Sequence, residues 1–387
     1  MTRVGIIGVG ITAFGEFWEK GLRDLIVEAG MAAIQDAHLE GAKIDAGYVG
    51  SMSPGRFIGQ EHIGALVADY VGLTGIPATR VEAACASGGL ALRQAYLSIK
   101  AGENKVVVAG GVEKMTDVSV ERAMVTLGGA GDQEWELFHG ATFPGLYALM
   151  ARRHMLEYGT TEEQMALVAV KNHRNGALNP KAQYQSEVTI EQVMKSSPVA
   201  TPLKLLDCSP ITDGAAVVIL AEEKTARKYC EKPVWIEASA QASDTLALHD
   251  RKSLSRTDAA IAAGKRAYQQ ANLKPKDIDF AEVHDCFTIA EIMAIEALGF
   301  CPIGKGGKFT EEGNTARDGS IPVNTSGGLK AKGHPVGATG IAQAIEATLQ
   351  LRGDAGKRQV KDAKVGLAHN VGGSGATCVV HILRRDA

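Results

Sequence analysis

The sequence contains no CxxC pair, no apolar run long enough to cross a bilayer and no surplus of positive charge. Each absence excludes something. Six cysteines, Cys85, Cys208, Cys230, Cys286, Cys301 and Cys378, are scattered along 387 residues. Without paired spacing they suggest neither a zinc site nor a disulfide framework, and a reducing, cytoplasmic setting suits them. A membrane helix needs about 20 consecutive apolar residues, so no membrane partner is expected. Lys and Arg number 41 against 44 Asp and Glu, a net charge of −3. That balance makes no electrostatic case for nucleic acid or for an anionic lipid surface. The opening MTRVGIIGVGI reads as a first strand rather than a signal peptide. The closing RRDA is not a peroxisomal address of the SKL kind. What is present is ample apolar material, 45% of the residues, enough for a large core in two or three domains.

The chain is written twice. A strand-like VGIIGVG (4–10) is followed by a helical pattern over 23–39, RDLIVEAGMAAIQDAHL. Later, VWIEASA (234–240) is followed by TDAAIAAGKRAYQQANL (257–273). Each copy continues with an apolar strand, IDAGYVGS (44–51) and IDFAEVHDC (278–286). Each then has a Gly-rich turn before a small-residue helix, from Ile76 and from Ile321. Two further strands close each copy: KVVVAGG (105–111) with DGAAVVILAEE (213–223), and KVGLAHNVGG (364–373) with SGATCVVHILRR (374–385). Strands alternating with helices predict an α/β protein with largely parallel sheets covered by helices. Two copies predict two similar layered halves about a pseudo-twofold axis. The boundaries expected are 1–112 plus 207–230 for the first half and 231–387 for the second. Residues 113–206 have no second-half counterpart and carry helical patterns such as EEQMALVAVKNHRNGAL (162–178). They read as an inserted loop domain, serving either as a lid and binding surface or as an oligomer contact.

Four motifs carry candidate chemistry. Cys85 lies in EAACASGG, after a strand and at a helix start. There the free N–H groups and helix dipole would lower a thiol pKa from about 8.5; a buried structural cysteine is the other reading. His334 lies in GGLKAKGHPVGATG (327–340), at nearly the same place in the repeat. Pseudo-twofold packing would set it beside Cys85, the arrangement of an activated thiol nucleophile. VHDCF (283–287) puts His284 and Cys286 two apart at a strand end, on one face if extended. No partner set of metal spacing accompanies them, so no metal is expected. AHNVGGSG (368–375) offers a histidine and a glycine run whose N–H groups could face an anion, or simply a tight turn. GVGITAFG (8–15) lacks the spacing and the acidic residue of a dinucleotide loop, and His154 and His173 read as surface or packing residues.

With these loops in order, the sequence resembles the thiolases along essentially its whole length. The CASGG turn, SPITDGAA (209–216), GHPVGATG and the C-terminal Gly-rich loop come in thiolase order. Two departures are informative. His284-Asp285-Cys286-Phe287 stands where commoner thiolases have Asn-Glu-Ala-Phe, and His369 stands where they have a cysteine. Both resemble the sterol-carrier-protein-2 type and its short archaeal relatives. The resemblance implies the thiolase fold: two βαβαβαββ halves in α/β/α/β/α layers with the loop domain inserted in the first. It implies Cys85 as nucleophile, His334 as its base, Cys286 as acid/base and His284 as oxyanion donor. Val371, Gly372 and His369 become further oxyanion candidates, and Ser209 and Ser326 candidate coenzyme A contacts. It further implies acetyl-CoA and acetoacetyl-CoA as substrates, no cofactor, and a homodimer or homotetramer. A complex with a hydroxymethylglutaryl-CoA synthase and a zinc-ribbon/OB-fold protein also follows from it. A CoA-thioester retro-aldolase and an idle acyl-CoA-binding scaffold are the alternatives.

Overall fold

The computed structural model describes residues 2–39 and 43–386. The first half runs β1 (Val4–Ile11), α1 (Leu22–Asp36), β2 (Ala46–Gly50), β3 (Ala78–Val81), α2 (Ser87–Lys100) and β4 (Val106–Glu113). Between β4 and β5 (Gly214–Glu222) come α3 (Val120–Gly128), α4 (Phe143–Tyr158) and α5 (Glu162–Gly176). A small ribbon there pairs Pro198–Ala200 with Leu203–Lys204. The second half runs β6 (Val234–Ser243), α6 (Asp258–Ala271), β7 (Phe280–Glu282), α7 (Thr288–Ala297), α8 (Thr339–Arg352), β8 (Val365–Gly372) and β9 (Thr377–Arg384).

The nine main strands form one sheet in the order β3-β2-β4-β5-β1-β6-β9-β8-β7. Reading outward from its centre, β1-β5-β4-β2-β3 is matched by β6-β9-β8-β7 and then a parallel bridge from Ala281 to Val323. The repeat in the sequence is therefore a repeat in space. One expectation is corrected: the sheet is mixed, not largely parallel. Among the described residues β2 is parallel to β3 and β4, and β7 to β8, but every other neighbouring pair is antiparallel. Strand–helix alternation dictates parallel crossovers only. The closing strand of each half runs back against its neighbours: β9 follows β8 with no helix between, and β5 returns beside β4 after the long helical segment 114–213. The halves are joined across β1 and β6 by two residue pairs, Gly5 with Trp235 and Ile6 with Val234.

Both sheet faces are covered, so the central strands are apolar without interruption. On β5, Ala216, Val218 and Leu220 face a core shared with Leu92, Ala95 and Ile99 of α2 and Ile341, Ala344 and Ile345 of α8. The intervening Ala215, Val217 and Ile219 face Leu25, Ile26, Ala29 and Ala33 of α1. Alanines 259, 260, 263 and 267 of α6 cover the same outer face in the second half. The layers are thus α/β/α/β/α, with α2 and α8 side by side in the middle. Small residues let the layers approach. A Cβ at Gly10 would lie 2.0 Å from the Ala29 carbonyl oxygen, so the glycines of GVGITAFG serve strand–helix contact. His154 and His173 are both buried, the first bonded to Thr160 and Glu296, and so act in packing.

Candidate active site

The first candidate nucleophile is presented by a strained turn. After β3 the chain passes through Ala84 at φ +52°, a left-handed conformation that costs a non-glycine residue on the order of 1 kcal/mol. Ser87 at the start of α2 holds the turn: its Oγ accepts from the Ala83 N–H at 2.9 Å and donates to the Ala84 carbonyl. Cys85 is left half-buried, facing a cavity of about 320 Å³. Across it, the turn before α8 presents His334. The two turns meet backbone to backbone, because a Cβ at Gly340 would lie 2.2 Å from the Gly89 nitrogen and one at Gly88 2.5 Å from the Gly337 oxygen.

Cys85 Sγ and one ring nitrogen each of His284 and His334 lie within 4.8 Å of one another. The hydrogen bonds assign the protons on the two rings. Thr339 Oγ1 is placed to give its only hydrogen to the Pro335 carbonyl at 3.1 Å and, at 2.7 Å from His334 Nδ1, to accept from the ring. On this assignment His334 carries its proton on Nδ1, and its unbonded Nε2 has a free lone pair. His284 is the reverse. Asn370 Nδ2, a donor only, sits 3.3 Å from His284 Nδ1, which places the ring proton on the unbonded Nε2. One imidazole is thus a base and the other a hydrogen-bond donor, their rings meeting edge-on at 5.1 Å.

Burial lowers His284 well below its ordinary value, the neighbouring His334 and His369 acting in the same direction. Burial, with the Lys332 charge, takes His334 down to about 3. Burial also pushes the Cys85 thiol up to about 12, against the main-chain N–H groups of Gly373 and Cys85 itself. The helix-start expectation of a lowered thiol is therefore corrected: loss of water outweighs the N–H groups. Burial thus favours a neutral thiol beside a neutral imidazole.

Cys286 also lines the cavity. Its carbonyl accepts from Ser209 N–H at 2.9 Å, and burial drives its thiol well above the ordinary range. Asp285 ties this loop to the histidine loop, accepting from Leu329 N–H at 2.7 Å and Lys330 N–H at 3.2 Å. Ser209 lines the cavity too. Other sequence-derived candidates are not brought there. Ser326 is fully buried with its hydroxyl donated to Glu282, so it has no surface to offer a ligand. Val371 and Gly372 are enclosed at the end of β8, and Gly373 supplies the cavity wall in their place. His369 lies behind His284, its Nδ1 accepting the His284 main-chain N–H at 3.4 Å.

Four contributors escaped the sequence reading. Asn370 donates to the Cys85 carbonyl at 3.0 Å and accepts from Gly89 N–H at 3.1 Å. Glu113 accepts from Met52 N–H at 2.7 Å and from Gly337 N–H at 3.1 Å, joining the first half to the histidine loop. Tyr147 of α4 and Cys208 also face the cavity. Only Asn370 had a signal, as the neighbour of His369 in HNVGG.

The sequence matches the thiolase N-terminal domain family over residues 4–224 and the thiolase C-terminal domain-like family over residues 240–385. The chain belongs to the thiolase family. It is 58% identical to an acetyl-CoA acetyltransferase of Methanothermobacter thermautotrophicus, over 100% of both chains. It is 37% identical to sterol carrier protein 2 of Bos taurus, over 97% of this chain and 71% of that one. Among solved structures, an Ltp2-ChsH2(DUF35) aldolase is similar at a TM-score of 0.87 and 28% identity, covering 99% of this chain and 98% of the other.

Proposed function

We propose that this thiolase is an acetyl-CoA C-acetyltransferase, condensing two acetyl-CoA to acetoacetyl-CoA and running the reverse thiolysis. The observation that carries the reading is one cavity lined by Cys85, Cys286 and the lone-pair imidazole of His334, with the proton-bearing His284 ring beside Cys85. The name of the relative 58% identical supports the choice of acetyl-CoA.

In this reading His334 Nε2 takes the Cys85 proton as the thiolate attacks the thioester carbonyl. The N–H groups of Cys85 and Gly373 hold the oxyanion. Cys286 gives its proton to the departing CoA sulfur, leaving acetyl-Cys85 and a Cys286 thiolate. That thiolate takes an α-proton from a second acetyl-CoA, while His284 Nε2–H holds the enolate oxygen. The carbanion attacks the acetyl carbonyl, the C–S bond to Cys85 breaks, and the Cys85 thiolate takes its proton back from His334 as acetoacetyl-CoA leaves. Each proton has a named carrier, so the scheme requires no metal or cofactor.

The reading extends to a homo-oligomer working in a cytoplasmic setting, and to isoprenoid precursor supply by way of a hydroxymethylglutaryl-CoA synthase and a bridging zinc-ribbon/OB-fold protein. The solved neighbour, an aldolase that pairs Ltp2 with ChsH2(DUF35), supports a second protein in general terms. The same neighbour, an aldolase, favours carbon–carbon cleavage without CoA as the second reading. Incubation with acetyl-CoA followed by peptide mass spectrometry tests the first: an acetyl group is expected on Cys85. Cleavage of a β-hydroxyacyl-CoA to an aldehyde or ketone and the shorter acyl-CoA, without free CoA and with no acetyl-Cys85, would favour the aldolase instead.

A further inference from the structure

Tyr147, from the segment between β4 and β5, lines the cavity beside both Cys286 and Gly373. It is buried on α4, its ring lying 4.6 Å from the Phe287 ring, centroid to centroid, at a tilt of 32°. That packing fixes the phenol in the cavity wall. Its Oη donates to the Gly373 carbonyl at 3.1 Å and shares the cavity wall with the neighbouring Cys286 thiol. Gly373 is the residue whose N–H faces Cys85. Behind the phenol, Arg251 holds the following residue, with Nη2 3.1 Å from Ser374 Oγ, so the Gly373 carbonyl stays in place.

The Cys286 thiolate has few sources of stabilisation. It is buried, it faces Cys85 from the turn before α2, and Asp285 lies beside it on its own loop. The Arg251 charge acts on Tyr147 and is not among the groups acting on Cys286. The groups that can donate to the sulfur are the Tyr147 hydroxyl and the Phe287 N–H. Yet the proposed chemistry requires this thiolate to survive from the departure of the first CoA to the arrival of the second acetyl-CoA.

We propose that Tyr147 is the positioning residue that holds Cys286 as a thiolate between the two half-reactions, by turning its single phenolic proton from the Gly373 carbonyl to the Cys286 sulfur. With Cys286 protonated, the phenol donates to Gly373 and accepts the Cys286 S–H. When that S–H bond breaks and its proton passes to the CoA sulfur, the phenol rotates its O–H onto the sulfur left behind. The phenol keeps its proton throughout. When Cys286 takes the α-proton of acetyl-CoA, the O–H returns to Gly373. The inference rests on the acetyltransferase reading above.

The variant Tyr147→Phe keeps the ring packing and removes only the hydroxyl. It should still acetylate Cys85. Exchange of acetyl-CoA methyl protons into D2O, which reports Cys286 alone, should fall about 10- to 100-fold, the range for a lost hydrogen bond to a charged group. The pH profile for iodoacetamide alkylation of Cys286, followed by peptide mass spectrometry, should move to higher pH. Wild-type exchange or an unshifted alkylation profile in the variant would overturn the role. So would equal loss of acetylation and exchange, which would place the defect at the Gly373 turn. Absence of acetyl-Cys85 in the wild type would instead overturn the acetyltransferase reading, and the alkylation profile would still judge Tyr147 by itself.

Discussion

Asn370 fixes the tautomer of His284: its amide nitrogen reaches Nδ1 at 3.3 Å and leaves the ring proton on Nε2, which has no other partner. The same amide holds the Cys85 carbonyl at 3.0 Å. One side chain thus orients the proposed nucleophile and the proposed oxyanion donor together.

Replacing it isosterically separates shape from proton placement. In Asn370→Asp a carboxylate accepts where an amide donated, so His284 is drawn to put its proton on Nδ1. The Nε2 donor is lost. Condensation kcat should fall about 100-fold or more, the usual effect of losing an oxyanion donor. An unchanged kcat would show that the tautomer of His284 is immaterial.

Cys286→Ala separates the two thiols. Acetyl-Cys85 should form more slowly, for want of the proton that Cys286 gives to CoA, but should then persist, while condensation falls by at least about 100-fold, as for loss of a general acid–base group. Intact-mass spectrometry after a brief acetyl-CoA pulse reads the first effect and acetoacetyl-CoA formation the second. Full condensation activity in this variant would remove Cys286 from the scheme.

Gly340→Ala probes the meeting of the two turns. The added Cβ would sit 2.2 Å from both the Gly89 nitrogen and Asn370 Oδ1. Neither backbone can yield without moving Cys85 or His334. The expected cost is about 1–3 kcal/mol, as for overpacked cores, together with loss of activity. Urea denaturation and acetyl-Cys85 formation measure the two parts.

Buried His381 predicts a pH effect away from the site. Its Nε2 lies 3.0 Å from the Gly89 carbonyl, an acceptor only, so the ring proton is on Nε2. Burial holds it down to about 4, against about 6.5 in the unfolded chain. A lowered histidine lets the unfolded state bind the extra proton. Its share of stability is therefore intact above about 6.5 and is lost as pH falls toward 4. In His381→Gln, which keeps a donor for Gly89, the drop in stability from pH 7 to pH 4.5 should be smaller by up to about 3 kcal/mol. Urea midpoints at the two pH values, wild type against variant, check it. An identical drop in both proteins would mean that His381 takes no part.

The core of the site was readable because its residues sit in short local motifs. CASGG, GHPVG and HDCF each place a reactive side chain beside a turn or helix start, and the repeat says which turns face each other. Tyr147 and Glu113 carry no such mark, since each acquires its role from residues far along the chain: Gly373 for the first, Gly337 for the second. Ser326 was misjudged for a related reason. A hydroxyl in a Gly-rich loop looks available until the buried Glu282 carboxylate beneath it is known. The thiol's raised value is likewise a property of the enclosed cavity and not of the helix start. The continuous sheet rests on two residue pairs between β1 and β6, too little to leave a pattern in either strand.

The repeated architecture has a further consequence. If two identical half-length chains met about a twofold axis, the turns before α2 and α8 would carry the same residue, and a sulfur could face only a sulfur. Writing both halves into one chain breaks that constraint. Each turn is free to change alone, so Cys85 on one side can confront His334 on the other. The division of labour between electrophile capture and proton removal is a liberty that symmetry would forbid.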